Sequence, residues 1–473
     1  MKCISKVLGG LLIYSILGIA VANTTANQTD DLSPVLPNSS LPFHIVIEQA
    51  GFQLPVGLHS GAFGVFQGQW IFIAGRLNGL HGFNADPFRP QDQNTTIYVV
   101  NPTTGSVSSR SLFDPSSGLT NQQIDALSVT SPEMYQDGTT LYIVGGYGVD
   151  RDTSGFSTKS VITAVNLPGI LQWVTNPAAG TSVAANISQV FNSQFQISGG
   201  RLNKIGNMMQ LVFGQNFGDD YNTASNGEYS QQVRQFQTKS VNGQLSVNIY
   251  NPMPATPNAN FRRRDLNVAP IVLNKNNVLS YGLIAYSGVF TTAGGVWTVP
   301  VVIDGINDPV MADPNSASSF KQGLNNYASA IVGLYSRTNV NMYHIIFGGL
   351  TYGFYTNGVF NTDAEIPFTN QITTIQMDKN GNFTQYLMDA QYPTIVAATG
   401  VNAGNTLLFG AGAYFIPSNI SAYPNSVLNL DNIRSPTVIG YIVGGIASAL
   451  PNTNTMADSI ASPYIFKVTL VPS

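Results

Sequence analysis

From Phe43 onward, short apolar runs alternate with clusters of Gly, Asn, Asp and Pro, a strand-and-turn pattern. No amphipathic stretch longer than three turns interrupts it. Residues 118–129 and 165–176 read as short helical turns at most. Six apolar runs end on a glycine or a glycine pair: WIFIAG at Gly75, LYIVGG at Gly146, LVFG at Gly214, LIAYSG at Gly288, HIIFGG at Gly349 and YIVGG at Gly445. They recur about 60 to 95 residues apart, which marks a repeat architecture. Most are followed by a polar loop and a further apolar run, such as TTIYVV, SVITAV, QITTIQM or YIFKVTL. A third run often follows a tight turn such as NPTTG or DKNG.

A strand of about six apolar residues needs cover on both faces. Small sheets stacked around an axis supply that cover. The pattern therefore predicts an all-β chain, a single six-bladed β-propeller over 43–473, with seven blades as the alternative. The run FHIVIE, Phe43 to Glu48, has no partner in the first repeat, and the last repeat ends at the strand Tyr464 to Leu470. The first is predicted to pair with the second, closing the ring and removing a free edge. LLFGAGAYF, Leu407 to Phe415, competes with YIVGG as the sixth glycine run.

Composition changes this picture in two ways. Only 9% of residues are charged, against about 25% in ordinary soluble domains. Yet 10% are aromatic, which excludes a disordered chain. The net charge of −4 excludes a nucleic-acid partner bound by counterion release. At the N-terminus, Lys2 and Lys6 precede the apolar run Val7 to Ala22, which ends in Ala20-Val21-Ala22. That pattern predicts a signal peptide over 1–22, a flexible leader over 23–42, and a secreted or periplasmic protein. No later run is long enough to predict a membrane span. Removing the signal removes Cys3, the sole cysteine, and leaves 18 basic against 24 acidic residues.

LYIVGGYG and HIIFGGLTYG resemble kelch repeats, in which an apolar strand ends in Gly-Gly with aromatic residues downstream. His59-Ser60 ahead of FGVF, and Trp173, are similar to kelch positions. The likeness is to a divergent, secreted propeller resembling the central domain of galactose oxidase. Copper oxidases of that kind need two histidines, two tyrosines and a cysteine crosslinked to one of them. The chain without its signal has no cysteine, so no copper centre is expected, nor any other metal or cofactor.

The resemblance implies a ligand face made by the segments leading into the inner strands and those after the glycine runs. The leading segments are His59-Ser60, Ser131-Pro132-Glu133, Ser198 to Arg201, Phe261 to Asp265, Asn326-Tyr327 and Tyr392-Pro393. In FRRRDLN, three of the chain's 11 arginines are adjacent. If that segment enters a strand, Arg262 and Arg264 share one side, and Arg263 and Asp265 the other. Arginine forks suit carboxylates and phosphates, so the segment reads either as an anion-binding wall or as a structural ion-pair cluster. Asp219-Asp220-Tyr221 and Asp150-Arg151-Asp152 read as solvated turn acids or, with less support from their spacing, as calcium loops. His59 and His81 with Asp86 could form a metal site, but these, like His44 and His344, read more readily as scaffold histidines. Glu133 is the candidate general base. Seven Asn-x-Ser/Thr sequons, at Asn23, Asn27, Asn38, Asn94, Asn186, Asn382 and Asn419, would be glycosylated in a eukaryotic secretory path.

The leading expectation is a binding module for a protein or carbohydrate ligand, using His59, Glu133, Arg201, Arg262, Arg263, Arg264, Asp265 and Tyr327. The rival is an enzyme acting on anionic sugars, an epimerase or lyase, through Glu133 and the arginine cluster.

Overall fold

A computed structural model describes residues 32–82, 87–221, 227–275, 277–453 and 455–473. The 1–22 signal region lies outside these residues. Short meandering strands give an all-β chain, with helices at Asn121–Ala126 and Leu167–Thr175 inside the two segments read as helical turns. No helix among the described residues is long and apolar enough to cross a membrane.

The strands form a β-propeller. The first sheet holds Ala62–Phe66, Gln69–Ile73, Thr96–Val100 and Val107–Ser111, each antiparallel to the next. The second and third sheets start at the inner strands Glu133–Asp137 and Arg201–Ile205, the fourth at Asn267–Lys275. The fifth starts at Ala330–Ser336 and the sixth at Ala413–Pro417. Five of these are regular four-stranded blades, where the repeats had predicted six, or alternatively seven. The fifth sheet departs from the pattern with six strands, because Leu428–Asn429 and Val35–Pro37 add to its two edges in parallel. One of these added strands comes from the segment read as a leader. Val35–Pro37 pairs with Gln385 to Leu387, and a three-residue edge strand leaves no periodicity to read.

Each sheet buries a face against its neighbour. Ile71 and Ile73 of the first meet Leu141 and Ile143 of the second, with Trp173 wedged beside them. The sixth sheet returns to the first through Tyr414, Ile416 and Val443 against Trp70 and Phe72. The outermost strand of the sixth sheet is Phe43–Gln49, antiparallel to Ile465–Pro472 with Phe43 opposite Pro472. Its alternation puts Phe43, Ile45 and Ile47 in the core and leaves His44, Val46 and Glu48 outside. YIVGG belongs to the second strand of that sheet, and Ala413–Pro417 is its inner strand.

The glycine runs have a common geometry. In all six sheets the last two residues of the run are left-handed: Ala74-Gly75, Gly145-Gly146, Phe213-Gly214, Ser287-Gly288, Gly348-Gly349 and Gly444-Gly445. This turn carries the second residue's N–H to a carbonyl of the next sheet in five cases, for instance Gly146 N to Ile197 O at 2.8 Å and Gly445 N to Leu58 O at 2.9 Å. At Gly145 a Cβ would lie 2.0 Å from Ile197 O, and at Gly444 2.2 Å from Leu58 O, so a side chain is excluded. In the fourth sheet Ser287 takes the first position, and its hydroxyl donates to Asn326 O at 2.8 Å. The double glycine is thus needed only where the next sheet's backbone approaches closest.

His344 illustrates a buried cross-link between sheets. Its Nδ1 lies 3.0 Å from the Tyr286 hydroxyl and its Nε2 3.1 Å from Pro270 O. Burial lowers its pKa to about 4. Burial, then the charge of Arg76, lowers His59 to about 3. Above the ordinary value of 6.5, folded and unfolded chains both hold these rings neutral. Below it, the unfolded chain takes up protons that the folded chain refuses, so stability falls as pH drops toward 4. Each ring is expected to remove roughly 2 kcal/mol by about pH 4.5. Chemical denaturation between pH 7 and 4.5 checks this, with a shallower slope expected for His344→Gln. A flat profile would refute it.

Candidate functional site

A closed cycle of backbone hydrogen bonds surrounds the propeller axis. Ser131 N donates to Ser60 O, Gly199 N to Ser131 O, Asp265 N to Gly199 O, Ala328 N to Asp265 O, Gly412 N to Ala328 O, and Ser60 N to Gly412 O, at 2.6 to 3.2 Å. One residue comes from the segment leading into each of the six inner strands. All six are left-handed, with φ between 49° and 70°. Four of them are not glycine, and strain of this kind concentrates at functional sites.

The cycle lies beside a central cavity of about 460 Å³. The residue just before each cycle member lines it: His59, Thr130, Ser198, Arg264, Tyr327 and Ala411. So does the residue just after each glycine: Arg76, Tyr147, Gln215, Val289, Leu350 and Ile446. The two sets meet as antiparallel bridges, His59 with Arg76, Thr130 with Tyr147, Ser198 with Gln215, Arg264 with Val289 and Tyr327 with Leu350. Ile446 N donates to Ala411 O at 2.7 Å in the sixth sheet. Each sheet therefore presents one pair of side chains to the cavity.

The FRRRD segment splits into different environments. It is not a strand, since the fourth sheet begins only at Asn267, and the left-handed turn at Asp265 breaks the alternation. Arg262 leans outward, stacked 4.0 Å over Tyr229 and donating to Thr291 O. Arg263 is fully buried, so the proposed anion wall is corrected there. Its Nη atoms donate to Ser287 O, Val299 O and Asn260 O, and its guanidinium lies 4.5 Å over Trp297. Arg264 and Asp265 line the cavity together, contrary to the opposite sides expected. Arg264 lies 4.5 Å over Phe290, with Nε 3.5 Å from Asp265 Oδ2. Burial opposes its charge, but Asp265, Tyr229 and Tyr221 outweigh this and its pKa is raised.

The other expected residues divide likewise. His59 and Tyr327 line the cavity; Glu133 and Arg201 do not. Glu133 is fully buried, and its Oε1 accepts from Gly200 N at 2.8 Å. Asn267 Oδ1 accepts from Ser329 N at 2.9 Å at the matching place two sheets on, and the Tyr414 hydroxyl accepts from Gly61 N. Glu133 is one of these three fastenings between adjacent sheets. Burial pushes its carboxyl well above the usual range, against the pull of the Gly200 amide and of Arg201. Arg201 donates to Gly200 O at 3.0 Å.

His59 has both ring nitrogens engaged, with Ser60 Oγ and Asn78 O, each at 2.9 Å. His81 lines the cavity between Phe88 and Tyr221. Asp86 lies outside the described residues, among which no three His, Cys, Asp or Glu side chains stand together to hold a metal. Of the turn acids, Asp219 meets the site through its backbone, accepting from the Tyr147 hydroxyl at 3.1 Å. Asp152 accepts from Asn121. Two sequons are corrected: Asn38 and Asn94 are buried, and the Asn94 amide donates to Ala74 O and Thr96 O.

Arg76, Gln215 and the aromatic lining of Phe88, Tyr147, Phe217 and Phe290 were missed as site residues. The glycine runs did announce Arg76, Tyr147 and Gln215, since the residue after each run's last glycine lines the cavity. Two atoms there are buried with no hydrogen-bond partner among the described residues, Arg264 Nε and Gln215 Oε1.

No protein-family model matches this sequence, and no curated protein matches it. Among solved structures, one described as "Structure of YjhT" is similar, at 11% identity and a TM-score of 0.43. The match covers 89% of this chain and 98% of that one.

Proposed function

We propose that this chain is an exported binding module that takes a small acidic carbohydrate in its central cavity. The carrying observation is a pair of buried atoms without a hydrogen bond on adjacent sheets of one cavity: the donor Arg264 Nε, which has only the Asp265 carboxylate 3.5 Å away, and the acceptor Gln215 Oε1. Buried polar groups normally have partners. A ligand offering a carboxylate oxygen to the first and a hydroxyl to the second would satisfy both. Hydroxyls on Ser60, Thr130, Ser131 and Ser198 line the same cavity. The volume falls within the roughly 300–1,000 Å³ typical of small-molecule sites.

The kelch likeness is kept as part of this reading, supported by the left-handed pair that ends each glycine run. A six-repeat ring is supported by the closed hydrogen-bond cycle. The signal-like N-terminus supports export. Catalysis through Glu133 finds no support, because that carboxyl is fastened to Gly200 and is not among the residues lining the cavity.

Titration calorimetry with glucuronate, galacturonate and glucose tests the proposal. At least one uronate is expected to bind ten or more times tighter than glucose. Arg264→Ala is expected to remove that preference in the folded protein, since a buried charged partner is worth several kcal/mol. Uronate binding undiminished by Arg264→Ala, or no uronate binding at all, would overturn it.

A further inference from the structure

The cavity is not uniform around its axis. Read in chain order, the pairs that the sheets present are His59 with Arg76, Thr130 with Tyr147, Ser198 with Gln215, Arg264 with Val289, Tyr327 with Leu350, and Ala411 with Ile446. The first three are polar, the fourth is mixed, and the last two turn apolar. The apolar arc is built rather than incidental. Phe368, Ala411 and Ile446 form a buried cluster, with Leu80, Leu350 and Leu408 packed against it. Val289 and Tyr327 continue it, with Phe290 and Ile366 against them.

Two side chains on this arc are held in strained backbone. Phe290 has φ 67° and Ile366 φ 57°, a conformation that bulky and β-branched residues avoid. Both line the cavity. The Ile366 turn is fixed by its N–H to Asp363 O at 3.1 Å, and Phe290 by its N–H to Gly295 O at 2.8 Å. The fold thus holds these two apolar side chains at the cavity despite the backbone cost.

Resting on the acidic-carbohydrate reading, we infer that the ligand is amphipathic, an acidic sugar carrying an apolar aglycone. The acid lies at Arg264. The sugar hydroxyls meet the Ser60–Thr130–Ser198–Gln215 arc. The aglycone lies against Leu350, Ile446 and Phe368. A bare uronate would satisfy the polar arc and leave the apolar one in contact with water, whereas an aryl or alkyl glycoside covers both.

Three probes separate this from the reading beneath it: glucuronate, 4-nitrophenyl β-D-glucuronide and 4-nitrophenyl β-D-glucoside. Calorimetry on the wild type is expected to show the aryl glucuronide at least tenfold tighter than either of the others. Leu350→Asn is expected to erase the gain of the aryl glucuronide over glucuronate, read as the ratio of the two affinities in the same variant. The milder Leu350→Ala, expected to lose part of the gain, serves if the first variant melts early. Equal affinity for glucuronate and its aryl glycoside overturns the amphipathic inference and leaves the acidic reading standing. Equal affinity for the two aryl glycosides, with glucuronate unbound, overturns the acidic reading and with it the inference that the ligand is an acidic sugar. Binding of none of the three overturns both.

Discussion

Replacing Arg263 by alanine is expected to destabilise the protein by about 3–5 kcal/mol, the range for emptying a large buried site, while leaving ligand affinity of the folded fraction unchanged. Its side chain is fully buried between the third and fourth sheets. Its guanidinium satisfies the carbonyls of Ser287, Val299 and Asn260 and stacks on Trp297. Alanine would leave both a void and unpaired carbonyls, and unpaired buried acceptors cost about 1–3 kcal/mol more. Burial alone pushes the Arg263 pKa down, and no carboxylate pairs with it among the described residues. Arg263→Met should therefore cost less than alanine, because it keeps the stem's packing and removes an unpaired buried charge. Arg263→Lys should not restore full stability, since a point charge cannot reach three carbonyls in one plane. Urea titration of the three variants decides the matter. A cost below about 1 kcal/mol for Arg263→Ala would fall in the range of surface substitutions and refute the structural role.

The contrast with Arg264 shows how much of the site was legible. The sequence pointed to one segment, FRRRD, and a strand alternation would have paired Arg263 with Asp265. The segment instead follows a 3-10 turn at Ala259–Phe261 and reaches Asp265 in a left-handed conformation. Period-two logic does not hold in such a turn, so Arg262 is half-buried on Tyr229, Arg263 goes to the core and Arg264 to the cavity. Glu133 was placed correctly at the start of an inner strand, but one sequence does not show that its carboxyl is taken by the Gly200 amide of the next sheet.

The repeat itself was legible because its cause is local. Two left-handed residues end each glycine run, and a close carbonyl forbids a side chain at Gly145 and Gly444. Long-range pairing of very short strands was not, as at Val35–Pro37 and Leu428–Asn429. Those strands owe their existence to exposed edges of the fifth sheet, not to any pattern of their own. The cavity lining was half legible. The segments before the inner strands carry recognisable chemistry, whereas the residue directly after each glycine ranges from Arg76 to Ile446 and has no type of its own.

Ring closure yields the second large effect. Deleting residues 43–49 is expected to abolish cooperative folding. The strand contributes Phe43, Ile45 and Ile47 to the core between the fifth and sixth sheets. At about 1.5–3 kcal/mol for each buried side chain, their loss removes roughly 5–9 kcal/mol, comparable with the whole stability of an ordinary domain. It also uncovers Ile465–Pro472 along its full length, and an exposed apolar edge invites association with other chains. Size-exclusion chromatography and thermal unfolding should show aggregated protein with no sharp transition. A synthetic peptide of residues 41–50 added during refolding should restore monomer and transition together, because the missing strand is an edge strand that can add from solution. The same peptide with Ile45→Lys and Ile47→Lys should not, since its backbone could pair but its core face could not be buried. If the deleted protein melted like the intact chain, the N-terminal strand would be an ornament on a sheet already complete, and closure would have to come from the remaining contacts of the sixth sheet with the first.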